Sequence, residues 1–426
     1  MIENFNQLIQ ISLQTLVIFC GLFFIYKKQI FSFFDPLLYF ILTQAFSIEL
    51  GIIQITDLGY LASFLFCQLF FALGFNYVAK SIRNNNVIDD SALSFGENEY
   101  KFWVYFTVFG FIIVVLANLY LISVQGVILF SDDPTKGKVS AFEGGGGIGA
   151  VRRINWGLLN LVSLSTVFIY LKTSNKFFLM MAIILVLVAV SGGSKSSLLV
   201  YIVILAFFGL FKSINQTKTF STIDKVKIPL IVGGVLLSIF IIGANTATVG
   251  DSVLGLGIRF LYFGDIIFYY YNTDAVTHFQ QLGFLDFLNY ELNPFLGILR
   301  ITPYLSPLSF EMVQYSFSHN EILEVVTGPN LPYYVKGHIF FGKFGALIYS
   351  FLVGSLIGFV RNLMFKKHYS YTKYLLVIFI NLNIFSFAQD SALTMSVFFD
   401  TIIFSLIPIF LSLILIYSPK IEIINE

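Results

Sequence analysis

Charge is what this sequence has least of. Only 12% of its 426 residues are Asp, Glu, Lys or Arg, about half the share found in soluble domains. So few charges cannot cover a water-facing surface, which excludes a string of soluble domains. The charges also nearly cancel, to +1 at pH 7, which excludes electrostatic nucleic-acid binding as a main activity. Cysteine occurs twice, as Cys20 and Cys67, both inside apolar runs. No disulfide framework is expected, and both read as small apolar core residues. There is no HExxH, no Cys/His metal spacing and no GxSxG, so neither a metal nor any other cofactor is expected. No basic residue precedes the first apolar run, which therefore reads as a retained helix rather than a cleaved signal. No fixed-period repeat, coiled coil or low-complexity tail is visible.

Apolar residues are abundant instead. They make up 57% of the chain, and many fall in runs of roughly 20, the length at which a helix crosses a bilayer. Backbone groups in lipid have no water partner, so each run should be helical. The expected fold class is an all-α polytopic membrane protein of about 11 transmembrane helices. Eight lie within 1–248 and three within 337–426. The sixth and seventh are short and joined only by Gly192-Gly193-Ser194-Lys195; a re-entrant hairpin is the other reading. Lys and Arg counts in alternate loops come to 16 against 8. Basic residues stay cytoplasmic, so the N-terminus is expected outside and the C-terminus inside. Two long outward segments result, one at about 123–153 and a large loop at 249–336. The loop carries eight acidic and three basic residues. Its short aromatic stretches, Phe260–Phe263 and Ile266–Tyr271, suit helices lying in the membrane interface.

Polar groups inside a bilayer are costly and point to function. In this orientation Glu49, Asn118, Asn155, Asn160, Asn245, Lys343, Asp390 and Asp400 all fall toward the outside. They suggest either an outward cavity roofed by the large loop or a set of separate structural hydrogen bonds. In the loop, Arg259 and Arg300 need partners, either a carboxylate or a phosphate. The segment FEGGGGIGAVRR ends in Arg152 and Arg153. Its glycines let backbone N–H groups approach an anion, but no GK[ST] follows as in a P-loop. Lipid head groups and a lipid-linked diphosphate are the two ligands it would suit. Three histidines face outward: His278, His319 and His338. His319 heads SHNEILEVVTG; it either serves as a base for a sugar hydroxyl or caps a helix. Asn320 and Glu324 lie one helical turn apart.

The stretch SHNEILEVVTGPNLPYYVKGHIFFGKFGALIY and the hairpin SGGSKSSLLVY carry a resemblance. With the large outward loop ahead of the last spans, they resemble the bacterial O-antigen ligase and polymerase superfamily, above all its Wzy-type polymerases. Lys195 stands where many relatives have arginine, and Ser197 where they often have glycine. The resemblance implies a GT-C-like fold. It implies a glycosyltransferase that needs neither metal nor nucleotide and moves a glycan from undecaprenyl diphosphate onto a lipid-linked repeat unit at the periplasmic face of the inner membrane. It implies His319, Glu321 and Glu324 as catalytic candidates, and Arg152, Arg153, Arg259, Arg300 and Lys195 as diphosphate ligands. Asn320, His338 and Lys343 are further substrate contacts. The partners would be an undecaprenyl-diphosphate-linked oligosaccharide, membrane lipids and a chain-length regulator. An O-antigen ligase and a lipid-linked oligosaccharide flippase are the alternatives.

Overall fold

A computed structural model describes residues 5–80, 88, 90, 96–127, 148–192, 197–222, 225, 229, 232–233, 264–280, 282–303, 305–316, 329–366 and 370–418. The described chain is helical, apart from one isolated bridge between Ile88 and Phe211. The helices, in order, are α1 (Phe5–Tyr26), α2 (Pro36–Gln54), α3 (Leu58–Val78), α4 (Glu97–Gln125), α5 (Ile148–Thr173), α6 (Lys176–Ser191) and α7 (Ser197–Phe208). The outer segment supplies α8 (Ile266–Tyr271), α9 (Ala275–Phe279), α10 (Phe284–Ile298) and α11 (Leu308–Ser316). The chain closes with α12 (Tyr333–Leu363), α13 (Tyr371–Gln389) and α14 (Ser391–Tyr417). Eight of these, α1 to α5 and α12 to α14, are long and apolar enough to cross a membrane. The protein is a polytopic, all-α membrane protein. Of the other expected spans, the sixth and seventh are the shorter helices α6 and α7. The eighth, at 228–248, lies almost wholly outside the described residues.

Local chemistry sets the helix boundaries. Asp35 caps α2, accepting from the Leu37 N–H at 2.9 Å, and Pro36 takes the first turn, where its missing N–H is no loss. Asp57 caps α3, Asn175 caps α6 and Asp390 caps α14 in the same way. Gly342 breaks α12 with a φ of +67°, a backbone that side chains with a Cβ rarely adopt.

Two packed cores result. One joins α1, α2, α3, α8, α9, α11, α12 and the last turns of α13. The other joins α4, α5, α6, α7 and α13, and Ile380 of α13 packs against both. The tightest pairing is α3 on α12. A Cβ at Gly354 would fall on the carbonyl oxygen of Phe71, and one at Gly358 would lie 2.8 Å from that of Phe75. In lipid, where burial of apolar surface does not drive helix pairing, such close approach is the main attraction between helices.

The polar contacts of the helices fall into two groups, one at each end of the bundle. At one end Arg361 ion-pairs with Asp35, and Lys172 donates to Ser213 Oγ at 2.6 Å and Tyr371 OH at 2.7 Å. Asp90 closes that cluster, accepting from the Ser213 N–H at 2.8 Å. At the other end Lys336 pairs with Glu291, and Arg153 with Asp400. Residues 35, 90, 172, 213, 361 and 371 are therefore on one side, and 153, 291, 336 and 400 on the other.

Of the two short aromatic stretches, Phe260–Phe263 lies outside the described residues, and α8 is packed into the first core, with Ile266, Ile267 and Tyr270 fully buried. The helix with an exposed apolar stripe is α10, through Phe284, Leu285, Leu288 and Leu292.

Overpacking a well-packed contact costs about 1–3 kcal/mol. Gly354→Leu is expected to lower the thermal midpoint of the detergent-solubilised protein, whereas Gly21→Ala, which has open space, leaves it unchanged. Static light-scattering melts of the three proteins measure this.

Candidate active site

Six helices, α4 to α7, α13 and α14, line a cavity of about 270 Å³ on the side of the Arg153–Asp400 pair. α4 contributes Asn118 and Gln125, α5 Arg152, Asn155, Trp156, Asn160 and Ser163, α6 Ser191, α7 Tyr201 and α13 Asn383. The helix period explains the α5 contribution: 152, 155, 156, 159, 160 and 163 are spaced by three and four, so they share one face. Carboxamides dominate the polar lining, and among the described residues no carboxylate reaches it.

Part of that lining is satisfied internally. Asn118 Nδ2 donates to Ser191 Oγ at 3.2 Å, Asn160 Nδ2 to Asn383 Oδ1 at 3.5 Å, and Ser163 and Tyr201 share a bond of 2.8 Å. Two acceptors are not. Asn155 Oδ1 and Gln125 Oε1 are buried with no hydrogen-bond partner among the described residues. Asn155 as a whole is only 8% exposed. Arg152, 5% exposed, holds its guanidinium over the Trp156 ring, 5.5 Å from the centroid.

The adjacent arginine does something else. Arg153 Nε donates to both oxygens of Asp400 at 3.1 Å, and its Nη2 to Ser396 Oγ at 2.8 Å and the Pro294 carbonyl at 3.4 Å. Asp400 is fully buried. The helices meet closely enough for this because position 157 is glycine: a Cβ there would lie 2.6 Å from the Asp400 carbonyl carbon. Thr401 Oγ1 adds a bond of 2.7 Å to the Gly157 carbonyl. Of the four arginines expected to hold a diphosphate, Arg152 lines the cavity and Arg153 is committed to a carboxylate.

The other candidates are scattered. Lys336 and Glu291 pair with Ser391, 2.5 Å from the lysine Nζ, tying α10 to α12 and α14. His338 is 1% exposed and its Nδ1 lies 2.7 Å from Tyr270 OH; Gln280 lies 3.3 Å from both ring nitrogens. These contacts pack α12 against α8 and the residues that follow it. Lys343 lies just past the break at Gly342, with its Nζ 4.1 Å from the Tyr60 ring centroid. Arg300 ends α10 with a φ of +56° and an exposed side chain. His319, Asn320, Glu321, Glu324, Arg259 and Lys195 lie outside the described residues.

An open depression sits over α8, α9 and α11, lined by Tyr271, Asn272, Asp274, Tyr315 and Ser316. Tyr315 stacks on His278 with centroids 4.4 Å apart and is exposed, so the pair offers an aromatic platform at the outer end.

Comparison with protein-family models, characterised proteins and solved structures gives no match. The site therefore has to be read from its own chemistry.

Sequence reasoning found Asn118, Asn155, Asn160 and Arg152 and missed Gln125 and Asn383. The signal for Asn383 was the same: a carboxamide toward the outer end of an apolar run. Asp265, at the start of α8, carried no signal. Beside it, Gly264 is tight enough that a Cβ would lie 3.1 Å from the Ser47 Cα. Burial pushes the Asp265 carboxyl up to about 7, and its Oδ1 has no partner among the described residues. The native state thus favours the protonated acid. The stability this gives is full below the ordinary carboxyl value and is lost as pH rises toward about 7. Asp265→Asn should remove that loss: the wild type melts lower at pH 8 than at pH 5, and the variant shows a smaller difference in melts at the two pH values.

Proposed function

We propose that the protein is a polysaccharide polymerase of the Wzy type, acting on undecaprenyl-diphosphate-linked glycans at the outer face of the inner membrane. The observation that carries this reading is the cavity itself, where one buried guanidinium, Arg152, meets a wall of carboxamides and, among the described residues, no carboxylate. A guanidinium at the end of a membrane helix suits a phosphate that belongs to a lipid, because it binds two oxygens at once while the lipid tail stays in the bilayer.

The reaction needs few groups. The bond between the donor sugar C1 and the phosphate oxygen breaks, and a bond from C1 to the acceptor hydroxyl oxygen forms. Undecaprenyl diphosphate leaves with the bonding pair, and Arg152 stabilises the negative charge that develops on it. The acceptor proton passes to a base, for which His319 is our choice, with Glu321 and Glu324 beside it in sequence. The Tyr315–His278 platform at the same end supports the reading, since a sugar ring stacks on an exposed aromatic face. Arg153 is a positioning residue, holding α5 so that Arg152 faces the cavity.

The test is the lipopolysaccharide of a deletion strain complemented with variants at matched protein level. Removing a preorganised donor at an oxyanion typically lowers rate about 10²–10³-fold, so Arg152→Gln is expected to leave a single repeat unit on the core. Loss of a ligase would leave none. A wild-type ladder from Arg152→Gln would remove the cavity from the reaction.

A further inference from the structure

The unpaired acceptors of the cavity say what kind of group sits beside the phosphate. Asn155 Oδ1 and Gln125 Oε1 are buried without a partner among the described residues, although neighbouring carboxamides and hydroxyls of the same wall are paired. An unmade hydrogen bond at a buried acceptor is expensive, whereas a made one is worth little net. Two such acceptors facing one cavity are suited to donors carried by a ligand. The cavity, at about 270 Å³, is roomy enough for a group larger than a few waters.

Charge narrows the class. With Arg152 in the lining and no carboxylate among the described residues, the cavity disfavours a cation and accepts an anion. A carboxamide oxygen accepts from O–H or N–H alike. The apolar lining from Trp156, Leu159 and Val188 leaves the ligand a hydrophobic flank, as ligand pockets usually do.

We infer that the cavity takes a polyol phosphate: the phosphate on Arg152, and at least two hydroxyl or acetamido N–H donors of the attached polyol on Asn155 and Gln125. Two sources share that chemistry, a glycosyl phosphate and a polyol lipid head group. Assignment to the glycosyl source rests on the polymerase reading; the chemistry itself does not. On the glycosyl source, Asn155 and Gln125 are specificity-determining residues. They read the sugar attached to the phosphate and so decide which donor is accepted.

The protein carries its own reporter. It has two tryptophans; Trp156 lines the cavity, and Trp103 donates to Thr372 Oγ1 at 2.8 Å near the opposite end. Trp103→Phe leaves Trp156 as the sole indole. Its fluorescence in detergent is titrated with inorganic phosphate, glycerol 1-phosphate, glucose 1-phosphate and N-acetylglucosamine 1-phosphate. Two added neutral hydrogen bonds correspond to about tenfold or more in affinity. At least one sugar phosphate is therefore expected to bind about tenfold tighter than inorganic phosphate. Asn155→Leu and Gln125→Leu should each reduce that ratio while leaving phosphate binding unchanged. Equal binding of phosphate and every polyol phosphate by the parent protein overturns the inference, and needs no variant to fold. A ratio that survives both leucine variants also overturns it. Glycerol 1-phosphate binding as tightly as the sugar phosphates supports the inference but gives the cavity to a lipid head group. Polymerase failure shows separately, as a wild-type glycan ladder in Arg152→Gln.

Discussion

The ion pair between Arg153 and Asp400 sets the rotation of α5, and the cavity depends on that rotation. Successive residues on a helix point about 100° apart. With Arg153 held against α14 by a fully buried carboxylate, Arg152 is turned toward α4 and α6. Asn155, Trp156, Leu159, Asn160 and Ser163 follow on the same face. Breaking a buried pair by removing one partner costs about 3–5 kcal/mol, because the charge left behind has no water to turn to. The pair therefore resists any rotation of α5 that would part Arg153 from Asp400. Gly157 makes it possible by letting α5 and α14 touch backbone to backbone, and the Pro294 carbonyl extends it to α10.

A second device pins the outer segment from the other side. Lys336 is buried with Glu291 and Ser391, so α10 is tied at Glu291 to α12 and at Pro294 to α5. Between these ties its polar face turns inward and its leucines outward. The described helices of this segment are thus packed parts of the bundle rather than a loose cover. α8 shows the same thing at smaller scale, buried through Ile266, Ile267 and Tyr270.

Much of this was legible in the sequence, for definite reasons. Long apolar runs have one solution in lipid, so α1 to α5 and α12 to α14 could be placed within a few residues. The cost of a carboxamide in a bilayer made Asn118, Asn155 and Asn160 conspicuous, and alternation of the loops put them at one end. Partners distant in sequence were not legible. Nothing near Arg153 indicates that its carboxylate lies 247 residues further on, and a pair of adjacent arginines reads as one phosphate clamp. The run Ile266–Tyr271 gives no sign of burial, because a short aromatic stretch looks the same in an interface and in a core. Gln125 ends an apolar run, where polar residues are ordinary, and only the enclosure shows that its acceptor is left unpaired.

The central claim is that the cavity beside Arg152 holds a phosphate belonging to a lipid-linked saccharide. A photoreactive amino acid at Val397, which lines the cavity from α14, tests it in growing cells. Irradiation followed by mass spectrometry of the purified protein identifies what occupied the space. The account predicts an adduct containing a polyprenyl diphosphate and its sugars, lost in cells that cannot make the repeat unit. An adduct of phospholipid alone, unchanged in those cells, would contradict it.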